Sequence, residues 1–146
     1  EIARALQGER DYDSDVRQLL YIANRYERRP DIERWRDTGL VLLLDRYVAS
    51  SVAYGEAQGL DAGWLTQIQR SLPVADLTIL LDIEPSLAAQ RKAAGRDRYE
   101  RDLALLGRVR ESYLRQAEQR DWLRVDGERG KVEVAQEIAE LVGKRL

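Results

Sequence analysis

The sequence predicts an α/β fold, a three-layer arrangement in which helices flank a parallel sheet. Three observations lead there. Helical and extended segments alternate along the 146 residues, the order that produces parallel strands joined by crossover helices. The extended segment at 40–44, Leu-Val-Leu-Leu-Leu, is unbroken in its apolar character, as a strand buried on both faces must be. That run stops at Asp45-Arg46, and a second one, Thr78-Ile79-Leu80-Leu81, stops at Asp82. Polar side chains at the carboxyl ends of such strands lie where α/β sheets collect their ligands.

Taken in order, the first residues read as a helix end stopped by Gly8. Ser14 can cap a helix whose apolar face is traced by Val16, Leu19, Leu20, Ala23 and Tyr26 or Glu27. Pro30 should interrupt it, a short helical stretch should continue through Trp35, and Gly39 should end it. Residues 40–44 are strand one. Helices follow at about 47–57 and 61–72, the second capped by Asp61 and stopped before Pro73. Residues 77–83 are strand two, and Pro85 suits the first turn of the next helix. Past a polar segment at 95–98, the residues Leu103, Leu106, Val109, Tyr113 and Ala117 recur at helical period. Residues 122–125 are strand three and 132–142 a closing helix. The whole reads as one domain, 1–146, without repeats or linkers. Two helices separate strands one and two, which leaves space for another strand between them. Without that strand, two central edges would go unpaired, each orphaned backbone group costing about 1–3 kcal/mol.

Composition removes several kinds of chemistry. The chain has no Cys and no His, so disulfides, thiolate nucleophiles, imidazole bases and the usual zinc sites are out. Proton or metal chemistry must fall to Asp and Glu. The formal net charge of −2, with basic residues scattered, argues against a surface that coats nucleic acid. No apolar run approaches membrane-spanning length and no signal peptide is visible, so a cytoplasmic protein is expected.

Four groups of residues could carry chemistry. Tyr21 and Arg25, four apart, share a helix face opposite the apolar stripe; they suit stacking on a base and donation to its carbonyl, or are an ordinary exposed pair. Asp45 and Arg46 suit Mg²⁺ and phosphate, because a guanidinium grips phosphate oxygens in a two-pronged fork; a helix cap and a surface ion pair are the alternative. Asp82 has the same motif shape as Asp45, and shape alone does not separate them, although the Arg46 neighbour favours Asp45. Finally, Arg91, Arg96, Arg98 and Arg101 surround a Gly-containing polar segment that is either a solvated basic turn or an anion-binding one.

The segment Asp45-Arg46-Tyr47, with Ser50 and Ala53-Tyr54, resembles the thymidylate kinase family. So do Leu20-Tyr21-Ile22-Ala23-Asn24-Arg25-Tyr26-Glu27 upstream, and Ala88-Ala89-Gln90-Arg91 with Gly95-Arg96-Asp97-Arg98-Tyr99-Glu100 downstream. The likeness runs from about residue 14 to the C-terminus. It implies a phosphate-loop NTPase fold of the nucleoside monophosphate kinase kind and Mg²⁺-dependent phosphorylation of dTMP to dTDP by ATP. It further implies a homodimer that takes small nucleotides rather than nucleic acid or membrane. Tyr21, where the family usually has Phe, would stack on thymine, and Arg25 would contact the ring. Arg46 would hold the dTMP phosphate, with Asp45 associated with the metal directly or through water. Ser50, Ser51, Tyr54 and Tyr99 would line the dTMP site, although Ser51's position varies in the family and Tyr54 is equally well placed for packing. Residues 91–101 would form a lid over ATP, with Arg91 packed on adenine, Arg96 in the lid, and Arg98 stabilising the transferring phosphoryl group. No Gly-x-x-x-x-Gly-Lys-Ser/Thr loop occurs, so the expectation is that about 40–60 residues carrying that loop and its strand, roughly a βαβ unit, precede Glu1, and that the fragment alone is inactive. The alternatives are a deoxynucleoside kinase accepting a 5′-hydroxyl and a non-catalytic nucleotide-binding relative.

Overall fold

A computed structural model describes residues 11–91 and 102–145. The chain divides into two compact units, Glu1–Val74 and Ala75–Leu146.

The first unit contains helices α1 (Ser14–Asp37), α2 (Val48–Ala57) and α3 (Ala62–Gln67). Its core is Ile22 of α1, Val52 of α2 and Leu65 of α3, with Tyr26, Leu60, Ala62 and Ile68 packed against them. α2 is made almost wholly of small residues, and Ser50, Ser51, Val52, Ala53, Gly55 and Ala57 are all buried. Small side chains let its neighbours come close. A Cβ on Gly55 would stand only 2.4 Å from Leu65 Cδ1.

α1 departs from expectation in three ways. It is one continuous helix of 24 residues with Pro30 inside it. The ring removes one backbone donor, but the turn around it is bracketed by the ion pairs Arg28–Asp31, Arg29–Glu33 and Arg34–Asp31, at the spacings where side chains meet along a helix. Its N-cap is Asp13 rather than Ser14, and the Asp15 carboxylate accepts from Val16 N at 2.6 Å. Its buried face is also not the expected one. Val16 and Leu19 are exposed, whereas Gln18, Ile22 and Ile32 are buried, and Arg25 and Arg29, half-buried, fall on the same stripe. Counting apolar residues cannot find a face that includes a glutamine and two arginines. Gly39 ends the helix as expected: at φ 76° it turns the chain so that Leu40 N reaches back to Trp35 O, a Schellman-type closure.

Residues 40–44 form no strand. Among the described residues the sheet consists of two strands from the second unit, and Leu43 is 94% exposed. A strand exists through its partner's hydrogen bonds, and no described residue offers them to this run. α3 ends at Gln67, earlier than the expected helix to 72. Gln69 N, Arg70 N and Leu72 N bond to Thr66 O, Gln67 O and Gln69 O, the three-residue steps of a tightening turn. The Asp61 cap was legible and is present, its carboxylate accepting from Trp64 N.

The second unit holds β1 (Ile79–Asp82), α4 (Pro85–Arg91), α5 (Leu103–Gln119), β2 (Leu123–Asp126) and α6 (Lys131–Gly143). The strands pair in parallel, Ile79 with Leu123 through Asp82 with Asp126, so expected strands two and three are neighbours. α5 is capped by Asp102, which accepts from Leu105 N at 2.9 Å. Its buried positions are Leu105, Val109, Ser112, Gln116 and Ala117, while Leu103 is exposed, a face rotated from the expected one. Gln116 Nε2 donates to Ser112 Oγ at 3.4 Å, which is how two polar side chains tolerate burial.

Candidate functional site

In the first unit α1, α2 and the turn after α3 meet at Arg25. Its NH1 donates to Ser51 Oγ of α2 at 2.6 Å and to Gln69 Oε1 at 3.1 Å. The next residue, Tyr26, donates its hydroxyl to Ile68 O at 2.8 Å. Two successive residues of α1 are therefore tied to two successive residues of the turn. Gln69 is buried and its Nε2 donates to Leu65 O at 2.9 Å. Tyr21, half-buried, lies one helical turn before Arg25.

A second feature of this unit is the turn 45–47 entering α2. Asp45 and Arg46 are exposed. Arg46 has φ 64°, a left-handed backbone that costs a non-glycine residue about 1–2 kcal/mol, and such strain is typical of functional positions. Its guanidinium lies over the Tyr54 ring, 5.2 Å from the centroid. Tyr47 is the residue before α2, and Ser50 N closes the first turn onto Tyr47 O at 3.1 Å. The Tyr47 hydroxyl is buried without a hydrogen-bond partner among the described residues, and burial, the largest influence, pushes its phenol above the usual value despite the nearby Arg25. A helix N-terminus beside a guanidinium favours an anion.

Asp82 belongs to a different arrangement, in the second unit. Arg110 approaches it through Nε at 2.6 Å and NH2 at 3.3 Å, and Arg124 NH2 is 2.8 Å away. Arg110 NH1 also reaches Glu84 at 2.6 Å. The Arg110 hydrogen bond, the largest of several causes, holds the Asp82 carboxyl below its ordinary value. This carboxylate is engaged by two guanidinium groups of its own unit. Arg91 closes α4 by donating to Gly127 O at 2.6 Å and to Glu128 O. Arg96, Arg98, Tyr99 and most of the expected lid lie outside the described residues.

The thymidylate kinase family model matches residues 1–138. The chain belongs to the thymidylate kinase family. A probable thymidylate kinase of Pyrobaculum aerophilum is 37% identical over 133 residues, 89% of this chain and 69% of that protein. A thymidylate kinase of Arabidopsis thaliana is 39% identical over 100 residues, 68% of this chain and 38% of that protein. The solved structure of thymidylate kinase from Candida albicans matches with a TM-score of 0.84 at 25% identity, over 99% of this chain and 73% of that one. The fold is thus the α/β phosphate-loop NTPase type, and the family's enzymes are kinases that phosphorylate dTMP to dTDP. None of the comparisons favours the deoxynucleoside kinase or the non-catalytic alternative.

Of the residues expected on the acceptor side, all but Tyr99 lie in the first unit. Tyr21 and Arg25 come from α1, Asp45 and Arg46 from the entry turn, and Ser50, Ser51 and Tyr54 from α2. Ser51 is buried and its hydroxyl is engaged by Arg25. Sequence reading missed Gln69. Gln69 had a faint signal, because Leu65, Ile68 and Leu72 set an apolar helical period that carries residue 69 inward with them. None of the described helices is long and apolar enough to cross a membrane.

Proposed function

We propose that the complete protein phosphorylates dTMP to dTDP with ATP, in dTTP biosynthesis, and that the first unit supplies its acceptor site. The observation that carries this assignment is the strained Arg46 at the entrance of α2, beside Tyr54. Arg46 and the α2 N-terminus hold the dTMP 5′-phosphate. A phosphate oxygen attacks the γ-phosphorus of ATP in line, a new P–O bond forms, and the bond to the β-phosphate oxygen breaks to release ADP. Tyr21 stacks on the pyrimidine and Arg25 donates to its carbonyl, with Ser50, Ser51, Tyr54 and Tyr99 around the nucleotide. Arg98 offsets charge developing on the transferring group, and Arg96 belongs to the lid. Arg91 is held in the plane of its guanidinium by two carbonyls, an attachment compatible with stacking its flat face on adenine.

The residues present suit Mg²⁺. Asp45 is an exposed carboxylate, the kind of ligand that an ion which keeps its waters and takes substrate phosphates requires. Bound there, Mg²⁺ would supply charge neutralisation on the phosphates. Family resemblance also supports a cytoplasmic homodimer, which sedimentation of the complete protein would test.

Steady-state kinetics on dTMP, dCMP and thymidine test the assignment. The complete protein should turn over dTMP far better than dCMP or thymidine. Turnover of thymidine without dTMP would replace it with a nucleoside kinase. Arg98→Ala should lower kcat by roughly 10²–10³ with dTMP KM little changed, because its contact arises at the transition state.

A further inference from the structure

We propose that Gln69 is a positioning residue for pyrimidine recognition, holding the Arg25 guanidinium in one plane and thereby sharpening the preference for a ring carbonyl over a ring amine. The proposal rests on the reading of Arg25 as the base-contacting residue.

The orientation of Gln69 is unambiguous. Leu65 O can only accept and Arg25 NH1 can only donate, so the amide must turn Nε2 to the first and Oε1 to the second, at 2.9 and 3.1 Å. Gln69 is 2% exposed and lies in the first turn beyond α3. In a continuing helix Leu65 O would accept from Gln69 N, whereas here it accepts from the Gln69 side chain, and Gln69 N turns to Thr66 O. α3 ends early, and the displaced amide presents an acceptor to Arg25.

Arg25 NH1 carries two hydrogens. Ser51 Oγ takes one and Gln69 Oε1 the other. A guanidinium is planar, so pinning one nitrogen at two points fixes the direction of its remaining edge. The adjacent Tyr26–Ile68 hydrogen bond keeps the 68–69 backbone at a set distance from α1. A donor held in one plane rewards a carbonyl placed in that plane, as on thymine. It meets an amino group, as on cytosine, with donor against donor. A loosened guanidinium could swing away from that clash, so losing Gln69 should reduce discrimination as well as affinity.

Kinetics of the complete gene product test this, with dTMP and dCMP as acceptors. Gln69→Met, close in length but without the amide, should raise dTMP KM roughly tenfold, the effect of about one hydrogen bond, and lower the dTMP-to-dCMP ratio of kcat/KM, with ATP KM unchanged. In an Arg25→Ala background Gln69→Met should add nothing further, since the coupling runs through Arg25. A Gln69→Met effect that persists without Arg25 would assign Gln69 to the helix stop and overturn the proposal. Wild-type selectivity in Gln69→Met would overturn it too. If Arg25→Ala itself leaves dTMP KM and selectivity at wild-type values, the reading of Arg25 fails, a result separable from failure of Gln69 alone.

Discussion

Arg25 in the first unit and Arg110 in the second are both half-buried arginines on long helices, and each is held at more than one point. The acceptors differ. Arg25 NH1 donates to two uncharged acceptors, the hydroxyl of Ser51 and the amide oxygen of Gln69, which set its direction. Arg110 is held by the carboxylates of Asp82 and Glu84, and Asp82 is claimed again by Arg124. In the second case charge meets charge and the group is tied into structure. The difference teaches that the partners of an arginine, more than its burial, distinguish a group oriented toward a ligand from one that locks a strand end to a helix.

The largest expected effect comes from removing each arginine in turn. Arg25→Ala should lower kcat/KM for dTMP by roughly 10–10², the range for hydrogen bonds made by a charged group, with little change in ATP KM. Arg110→Ala should leave dTMP KM within about threefold and instead lower the unfolding free energy by about 1–3 kcal/mol, because Asp82 loses its principal partner. Steady-state kinetics and urea unfolding of both variants would read the two responses. A kinetic loss in Arg110→Ala matching that of Arg25→Ala would erase the distinction.

Asp82→Asn sharpens the same contrast through pH. Asp82 is 12% exposed and its carboxyl lies below the ordinary value, chiefly through Arg110. A group whose folded pKa is depressed contributes stability above its unfolded value, about 3.9, and loses it as pH falls through the folded value. Wild type should therefore exceed Asp82→Asn by about 1–2 kcal/mol at pH 7, toward the lower end because Arg124 is more than half exposed to solvent. The gap should close as acid protonates the wild-type carboxyl. Urea midpoints measured from pH 7 downward would follow it, and a gap independent of pH would mean that the carboxylate's charge is not what Arg110 holds.

The parts of this molecule that sequence made legible are those decided locally. The Asp61 cap, the Gly39 stop, the small-residue helix α2 and the location of each strand depend on neighbours in sequence or on a strong pattern. The errors have tertiary causes. Residues 40–44 are apolar enough for a strand, but a ladder needs a partner strand and no described strand pairs with them. Pro30 has the right chemistry to break a helix, yet the ion pairs around it and buried residues on either side keep α1 continuous. The faces of α1 and α5 were misplaced because Gln18, Arg25, Ser112 and Gln116 occupy inward positions that an apolar count assigns to water. At the proposed site the same rule holds: the Asp-Arg-Tyr segment and the Tyr21–Arg25 spacing were visible, whereas the Arg25–Gln69 hydrogen bond spans 44 residues and no local pattern encodes it.

The smallest expected effect concerns how firmly the first unit sets the frame for Arg25, and Gly55→Ala probes it. The new methyl would begin 2.4 Å from Leu65 Cδ1, with Leu60 Cδ1 at 3.4 Å and Gln18 Cγ at 3.5 Å. A leucine methyl normally yields by rotating, but Leu65 is 0% exposed and close-packed interiors leave little room. Overpacking of this kind costs about 1–3 kcal/mol. Alanine also gains close to 1 kcal/mol over glycine inside a helix, so the two effects nearly offset, and the net should be a loss of about 1 kcal/mol. Urea unfolding should give a lower midpoint with an unchanged slope. The second unit offers no counterpart on α5, since a Cβ on Gly107 would meet nothing within 4 Å; Gly107→Ala should gain the helix propensity without the clash and raise the midpoint. If Gly55→Ala were stabilising to the same degree, Leu65 would be able to repack, and the backbone that carries the Leu65–Gln69 hydrogen bond would be looser than its burial implies.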